Sequence, residues 1–189
     1  MDFSNLNIQL GSIEDLQIWT HQEFFDQRGF LTKTYDNKIA HLGGIPFLTS
    51  ELFFTTSKEN VFRGLHFQSG LHSTSKIVTL LNGHILDFTL DLRKESATFC
   101  NLQINEIQGP QGKSLFIPKD VAHGYLVLKD DTRVAYRMQE NFCPECDFGL
   151  NLRNIIRYIP RNFEELILSD RDKGLPDFLP TDFRFRTHS

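Results

Sequence analysis

Four short clusters in this 189-residue chain gather side chains able to move protons, hold charge or bind a metal. The first is Arg63-Gly64-Leu65-His66-Phe67-Gln68, with Lys76 ten positions after His66. The others are Ile117-Pro118-Lys119-Asp120-Val121-Ala122-His123-Gly124, Tyr136-Arg137 and Ser169-Asp170-Arg171-Asp172. A metal site in a β-barrel needs several His or carboxylate ligands converging from one strand pair, commonly His-x-His with a later Glu and His. Here Gln68, not a histidine, follows His66 by two, no Glu sits in the following strand, and His72 lies in a Ser/Gly-rich loop. The ligand set is incomplete, so no metal is expected. Cys143-Pro144-Glu145-Cys146 is a CxxC pair without a second pair, and its proline suits a turn. It reads as two loop cysteines rather than as a zinc or redox centre.

Taken singly, the remaining candidates read as structural. A lone His beside an apolar strand usually satisfies a hydrogen bond, and Lys76 at the head of a strand would snorkel. Tyr136 would be a core aromatic with its hydroxyl at the rim, and Asp172 a turn cap. Only their joint arrangement argues for chemistry.

The elements that must position them are short strands. Residues 76–81 and 84–92 are apolar and β-branched runs separated by Asn82-Gly83, which predicts a hairpin. In the second run Leu86, Phe88, Leu90 and Leu92 alternate with Asp87, Thr89 and Asp91, so one face is apolar and the other polar or acidic. Residues 98–104, 113–117, 124–128 and 132–138 look similar, with Lys129-Asp130-Asp131 as a tight turn; residues 30–35 and 47–55 also look extended. Helix is signalled weakly, over 162–168 after Pro160. Evenly spaced strands with little helix predict a mainly β fold, a sandwich or a jelly-roll barrel, and closure into a barrel would leave a mouth that admits a small molecule.

Forty per cent hydrophobic content and the absence of a linker or repeat predict one domain spanning 1–189. A net charge of -4, with Lys and Arg scattered among acids, speaks against nucleic-acid binding. Residues 1–10 do not read as a signal peptide and no apolar stretch approaches membrane-spanning length, so no membrane partner is expected. Three cysteines, an odd and low number, predict no disulfide framework and a reducing cytoplasm.

Together the clusters resemble the dTDP-4-dehydrorhamnose 3,5-epimerase family. The match starts at Phe25-Asp26-Gln27-Arg28-Gly29-Phe30 and continues through Arg63 to Gln68 and Lys76-Ile77-Val78. It then takes in Asp91-Leu92-Arg93-Lys94-Glu95-Ser96-Ala97-Thr98-Phe99 and Phe116 through Gly124, and ends at Leu168-Ser169-Asp170-Arg171-Asp172. The resemblance implies a homodimeric, cupin-type jelly-roll enzyme with no cofactor and a nucleotide sugar, dTDP-linked, in its barrel. It also implies that His66 is the general base, Tyr136 the general acid, Asp172 the group behind His66, and Lys76 a neighbour of the sugar's C4 oxygen. On the same footing Arg28, Arg63, Gln68, His123, Phe142, Asp147 and Arg171 would contact substrate, with Phe142 stacking on the base. Lys33 and Ser50-Glu51-Leu52 differ from the family pattern at further contact positions.

The implied reaction suits these residue types. A 4-keto group acidifies the hydrogens at C3 and C5, because loss of either leaves an enolate on O4. An ammonium group in a water-poor pocket stabilises that charge, and His is the natural base near neutral pH. Inversion then needs a second donor on the other face, a role for the Tyr136 hydroxyl. An epimerase of C3 or C5 alone, or one using another nucleotide, would share this machinery. A non-catalytic sugar-binding cupin or a metal-dependent oxygenase would not need it.

Overall fold

The computed structural model describes residues 6–36, 43–45, 47–109, 112–177 and 186–187. Two six-stranded sheets face each other as a flattened barrel. In order across the first sheet are β1 (Leu6–Leu10), β2 (Gln17–His21), β10 (Lys113–Ile117), β7 (Lys76–Asn82), β12 (Thr132–Met138) and β5 (Glu51–Ser57). The second runs β13 (Asp147–Gly149), β6 (Phe62–Gln68), β11 (Val121–Val127), β8 (His84–Asp91), β9 (Asn101–Gln108) and β14 (Arg186–Thr187). A separate hairpin joins β3 (Glu23–Asp26) to β4 (Gly29–Thr32). This is the expected cupin-type jelly roll. No helix among the described residues is long and apolar enough to cross a membrane.

The Asn82-Gly83 hairpin is not formed. β7 pairs with β10 and β12, while β8 pairs with β9 and β11 in the other sheet. Only Gly83 separates the two strands, with φ at +103°, and a Cβ there would lie 2.1 Å from Thr132 Oγ1. The chain therefore turns a corner between sheets where a two-residue turn would have folded it back within one. Residues 128–131 likewise connect β11 to β12 across the barrel.

The alternation in β8 is real, but both of its faces are buried. Phe88 and Leu90 pack with Leu150, Leu152, Ile155 and Ile159 from the C-terminal segment. Ile85 joins Val78, Leu80, Leu115, Tyr125 and Val134 between the sheets, and each fully buried aliphatic side chain contributes about 1.5–3 kcal/mol. Asp87, Thr89 and Asp91 take that same inward parity at 0% exposure. Asp91 is consumed structurally, accepting hydrogen bonds from Arg93, Ser96 and Thr98 that pin the 92–100 loop.

Residues 162–168 do not form the expected helix. Phe163–Glu165 is a single 3-10 turn. The Ile167 N–H donates to the Asn60 carbonyl and its own carbonyl accepts from Phe62, which draws the chain onto the start of β6. Those backbone groups are then unavailable to a helix. The four-residue helix Asp170–Lys173 follows, capped by Ser169, whose hydroxyl accepts the Asp172 N–H.

Candidate active site

A cavity of about 740 Å³ opens between the sheets, within the usual range for small-molecule sites. β6 supplies three of its polar walls: Arg63, His66 and Gln68. Arg63 and His66 are three apart, which would place them on opposite faces of a regular strand. Pairing with β11 jumps from His123↔His66 to Tyr125↔Arg63, three residues against two, so β6 carries a bulge. Gly64 makes this possible: its φ is +117°, and a Cβ would stand 2.6 Å from the His123 carbonyl and from Gly124 Cα. The Arg63-Gly64 and His123-Gly124 dipeptides are thus two halves of one local device. It turns Arg63, His66 and His123 toward the same space.

His66 Nε2 lies 2.6 Å from Asp172 Oδ1, the histidine side chain 30% exposed and the aspartate 5%. Burial by itself would raise the Asp172 pKa, but the hydrogen bond and charge of His66, then Ser169 and Arg171, outweigh it and hold the carboxyl below its ordinary value. Lys76 heads β7 almost fully buried, and its ammonium donates to the His66 carbonyl at 3.2 Å. Burial pulls its pKa down to about 8, against the opposing pull of Asp147 and Asp87.

Tyr136 comes from β12 in the facing sheet and stacks on Phe53 of β5 at 5.0 Å. Burial, followed by Tyr125 and Asp87, pushes its phenol well above the usual tyrosine value, with Arg63 opposing. The group therefore stays protonated as a donor. His123 meets the Tyr136 ring edge-on at 6.0 Å and turns Nε2 to Asp87 Oδ2 at 2.6 Å. Asp147 is paired with Arg171 at 2.7 Å, and both line the cavity with Phe142.

Ten of the eleven site residues expected from sequence line this one space: His66, Tyr136, Asp172, Lys76, Arg63, Gln68, His123, Phe142, Asp147 and Arg171. Arg28 does not. It sits in the β3–β4 turn with its side chain 84% exposed and paired to Asp26. Lys33 is also outside, paired with Asp36 at 3.3 Å, whereas Glu51 lines the wall and accepts the Phe142 N–H. Asp87 and Phe53 were not anticipated. The polar parity of β8 is a signal that could have marked Asp87; nothing local marks Phe53.

The CxxC reading is corrected. Cys143 and Cys146 form a disulfide, because the 3-10 turn Pro144–Cys146 brings their Cα atoms to 5.2 Å, inside the range that a disulfide spans.

The family described as dTDP-4-dehydrorhamnose 3,5-epimerase matches residues 11–179. A dTDP-4-dehydrorhamnose 3,5-epimerase of Escherichia coli (strain K12) is 32% identical over 173 residues, covering 90% of this chain and 93% of its own. Two solved structures each superpose with a TM-score of 0.85. One is the Bacillus anthracis enzyme of that name with TDP and PPi bound, 29% identical and covering 92% of this chain and 99% of its own. The other is a Legionella pneumophila dTDP-6-deoxy-D-glucose-3,5-epimerase in complex with dTDP-4-keto-L-rhamnose, 28% identical and covering 98% and 100%.

Proposed function

This chain belongs to the dTDP-4-dehydrorhamnose 3,5-epimerase family, a family of carbohydrate isomerases, and from that premise we propose how its cavity acts. It inverts C3 and C5 of a dTDP-linked 4-keto-6-deoxyhexose by proton transfer. The observation that carries this reading is the placing of a base and an acid on opposite sheets, His66 with Asp172 on one side and Tyr136 on the other, with buried Lys76 beside them.

His66 turns Nε2 to Asp172, which leaves Nδ1 to accept the proton from carbon. Asp172 fixes that tautomer and favours the imidazolium as it forms. The Lys76 ammonium, drawn down to about 8 yet mostly charged at neutral pH, stabilises the enolate on O4. Tyr136, held protonated, returns a proton to the opposite face. Arg63 and Arg171 suit the diphosphate, because guanidinium groups pair with phosphate oxygens. Phe142, 56% exposed at the rim, offers a flat apolar face to the base. Gln68, His123 and Asp147 complete the sugar pocket. The solved relatives holding TDP or a dTDP-sugar support this substrate class.

We assign the enzyme to the cytoplasm, the compartment in which nucleotide sugars are made. A homodimer is the assembly this reading favours. Phe25, Phe30 and Leu31 of the β3–β4 hairpin and Leu52 and Phe54 on β5 are between 46% and 72% exposed, apolar surface that a second copy would cover. Arg28 would serve substrate across that interface.

Incubation with dTDP-4-keto-6-deoxyglucose in deuterated water, followed by proton NMR, tests the reaction. Deuterium should enter at both C3 and C5. Tyr136→Phe should slow inversion about 100-fold or more while exchange from the His66 face persists. Exchange at only one carbon would reduce the enzyme to a mono-epimerase, and exchange at neither would exclude this substrate.

A further inference from the structure

Beside the cavity, the CxxC motif meets a third soft ligand. His72, Cys143 and Cys146 each offer a donor atom, and the three atoms lie within 4.8 Å of one another. They come from two turns, Gly70–His72 after β6 and Pro144–Cys146 before β13. Cysteines with two residues between them at a turn have the spacing of zinc ligands, and an imidazole from elsewhere commonly completes such a set. Tetrahedral zinc holds sulfur and nitrogen donors about 3.3–3.8 Å apart, given its bond lengths, so once reduced the two sulfurs, bonded to each other here, must part while the imidazole shifts by roughly 1 Å.

The two turns are held together without help from sulfur. Buried Gln68 donates Nε2 to the His72 carbonyl at 3.2 Å and accepts the Cys143 N–H at 2.7 Å through Oε1. The Ser69 N–H donates to the Cys146 carbonyl at 3.1 Å. A further donor is at hand, since the Glu145 carboxylate stands 3.7 Å from Cys143 Sγ. Thiolate and imidazole donors select zinc-like cations over magnesium or calcium.

We propose that His72, Cys143 and Cys146, with Glu145 or water in fourth position, form a site for a thiophilic divalent cation of the zinc class. The site is open when the two cysteines are thiols and closed when they are joined. Two molecules of a thiol reductant transfer two electrons and two protons to the disulfide, leaving two cysteine thiols and the reductant's own disulfide. Each cysteine then releases its proton to solvent as its thiolate bonds the cation. Phe142 and Asp147 flank the motif and line the cavity, so the loaded site would brace the nucleotide end of the pocket. The binding claim does not depend on the reaction assigned to that pocket, because its readout is metal alone.

The test is a titration of the full chain with Co²⁺, after reduction by a thiol and anaerobic desalting, followed by Zn²⁺. One equivalent of Co²⁺ should give thiolate-to-cobalt charge-transfer absorption with tetrahedral d–d bands, and Zn²⁺ should bleach both. The oxidised protein should give neither. Cys143→Ser or Cys146→Ser should reduce the charge-transfer intensity by about half or more, one of two thiolates being lost. His72→Ala, at an exposed position that folding tolerates, should weaken binding about 10-fold or more. The proposal fails if the reduced protein shows no thiolate band. It also fails if the cysteine variants keep the full signal, or if His72→Ala binds like the parent.

Discussion

His66–Asp172 and His123–Asp87 each hold an imidazole Nε2 2.6 Å from a carboxylate oxygen, yet the first histidine side chain is 30% exposed and the second 2%. The first pair joins strand β6 to the helix Asp170–Lys173 across 106 residues of chain, and the second joins neighbouring strands β11 and β8 across 36. Identical chemistry is thus placed at an open mouth and in a sealed wall. A proton acceptor must reach both its substrate and its supporting carboxylate, which the open pair can do. The sealed pair holds one geometry, and it carries Tyr136 on its edge. Lys76 lies between them, bonded to the His66 carbonyl and drawn electrostatically to Asp87.

Removing each histidine should separate the two roles. His66→Ala should lower turnover by about 10³–10⁴-fold, the upper part of what a positioned base contributes. Its melting temperature should fall less than that of His123→Ala. The sealed variant should lose about 1–3 kcal/mol of folding stability, because Asp87 Oδ2, at 0% side-chain exposure, loses its hydrogen-bond partner. Turnover per folded molecule and denaturant unfolding check both, and equal stability losses would dissolve the distinction.

Asp172→Asn comes next, with turnover lower by on the order of 100-fold on the proposed mechanism, in which the carboxylate acts through His66. The sign of its pH effect follows from the lowered Asp172 pKa. A carboxyl depressed in the folded state adds stability above its unfolded value, and that stability is lost as pH falls through the folded value. Urea unfolding between about pH 7 and pH 3 should therefore show less acid destabilisation in the variant. A parallel acid limb in both proteins would mean that the pair does not stabilise the fold.

The smallest effect expected is in the alkaline limb. Lys76 loses its proton at about 8, so kcat/KM should decline above that pH as the enolate loses its positive partner. Lys76→Arg keeps its charge, and should move the limb upward while lowering the maximal rate. An unmoved limb would assign it to another group.

Much of the site was legible because its residues sit in dense local patterns. The β6 and β11 clusters, the alternation of β8 and the Ser169-to-Asp172 stretch each mark positions that fall in or beside the cavity. What was misread depends on long-range pairing. Asn82-Gly83 has the composition of a hairpin turn, yet its strands bond to β10, β12, β9 and β11, and Gly83 turns the corner instead. Residues 162–168 carry helix-compatible side chains, but the Ile167 N–H and carbonyl bond to Asn60 and Phe62 at the start of β6. The polar face of β8 would ordinarily be assigned to solvent. It faces inward because the C-terminal segment covers the apolar side.

The sequence by itself determined that stretches such as 76–81, 84–92, 113–117 and 132–138 are strands, how the side chains of 84–92 alternate, and which acid and base types exist. Those properties depend on neighbours one to four residues away. Tertiary structure decided which sheet each strand joins, which carboxylate stands behind which histidine, that Arg28 stays outside the cavity, and that His72 meets Cys143 and Cys146. Each of these is a contact between distant parts of the chain, selected by burial and by the hydrogen-bonding needs of the whole barrel.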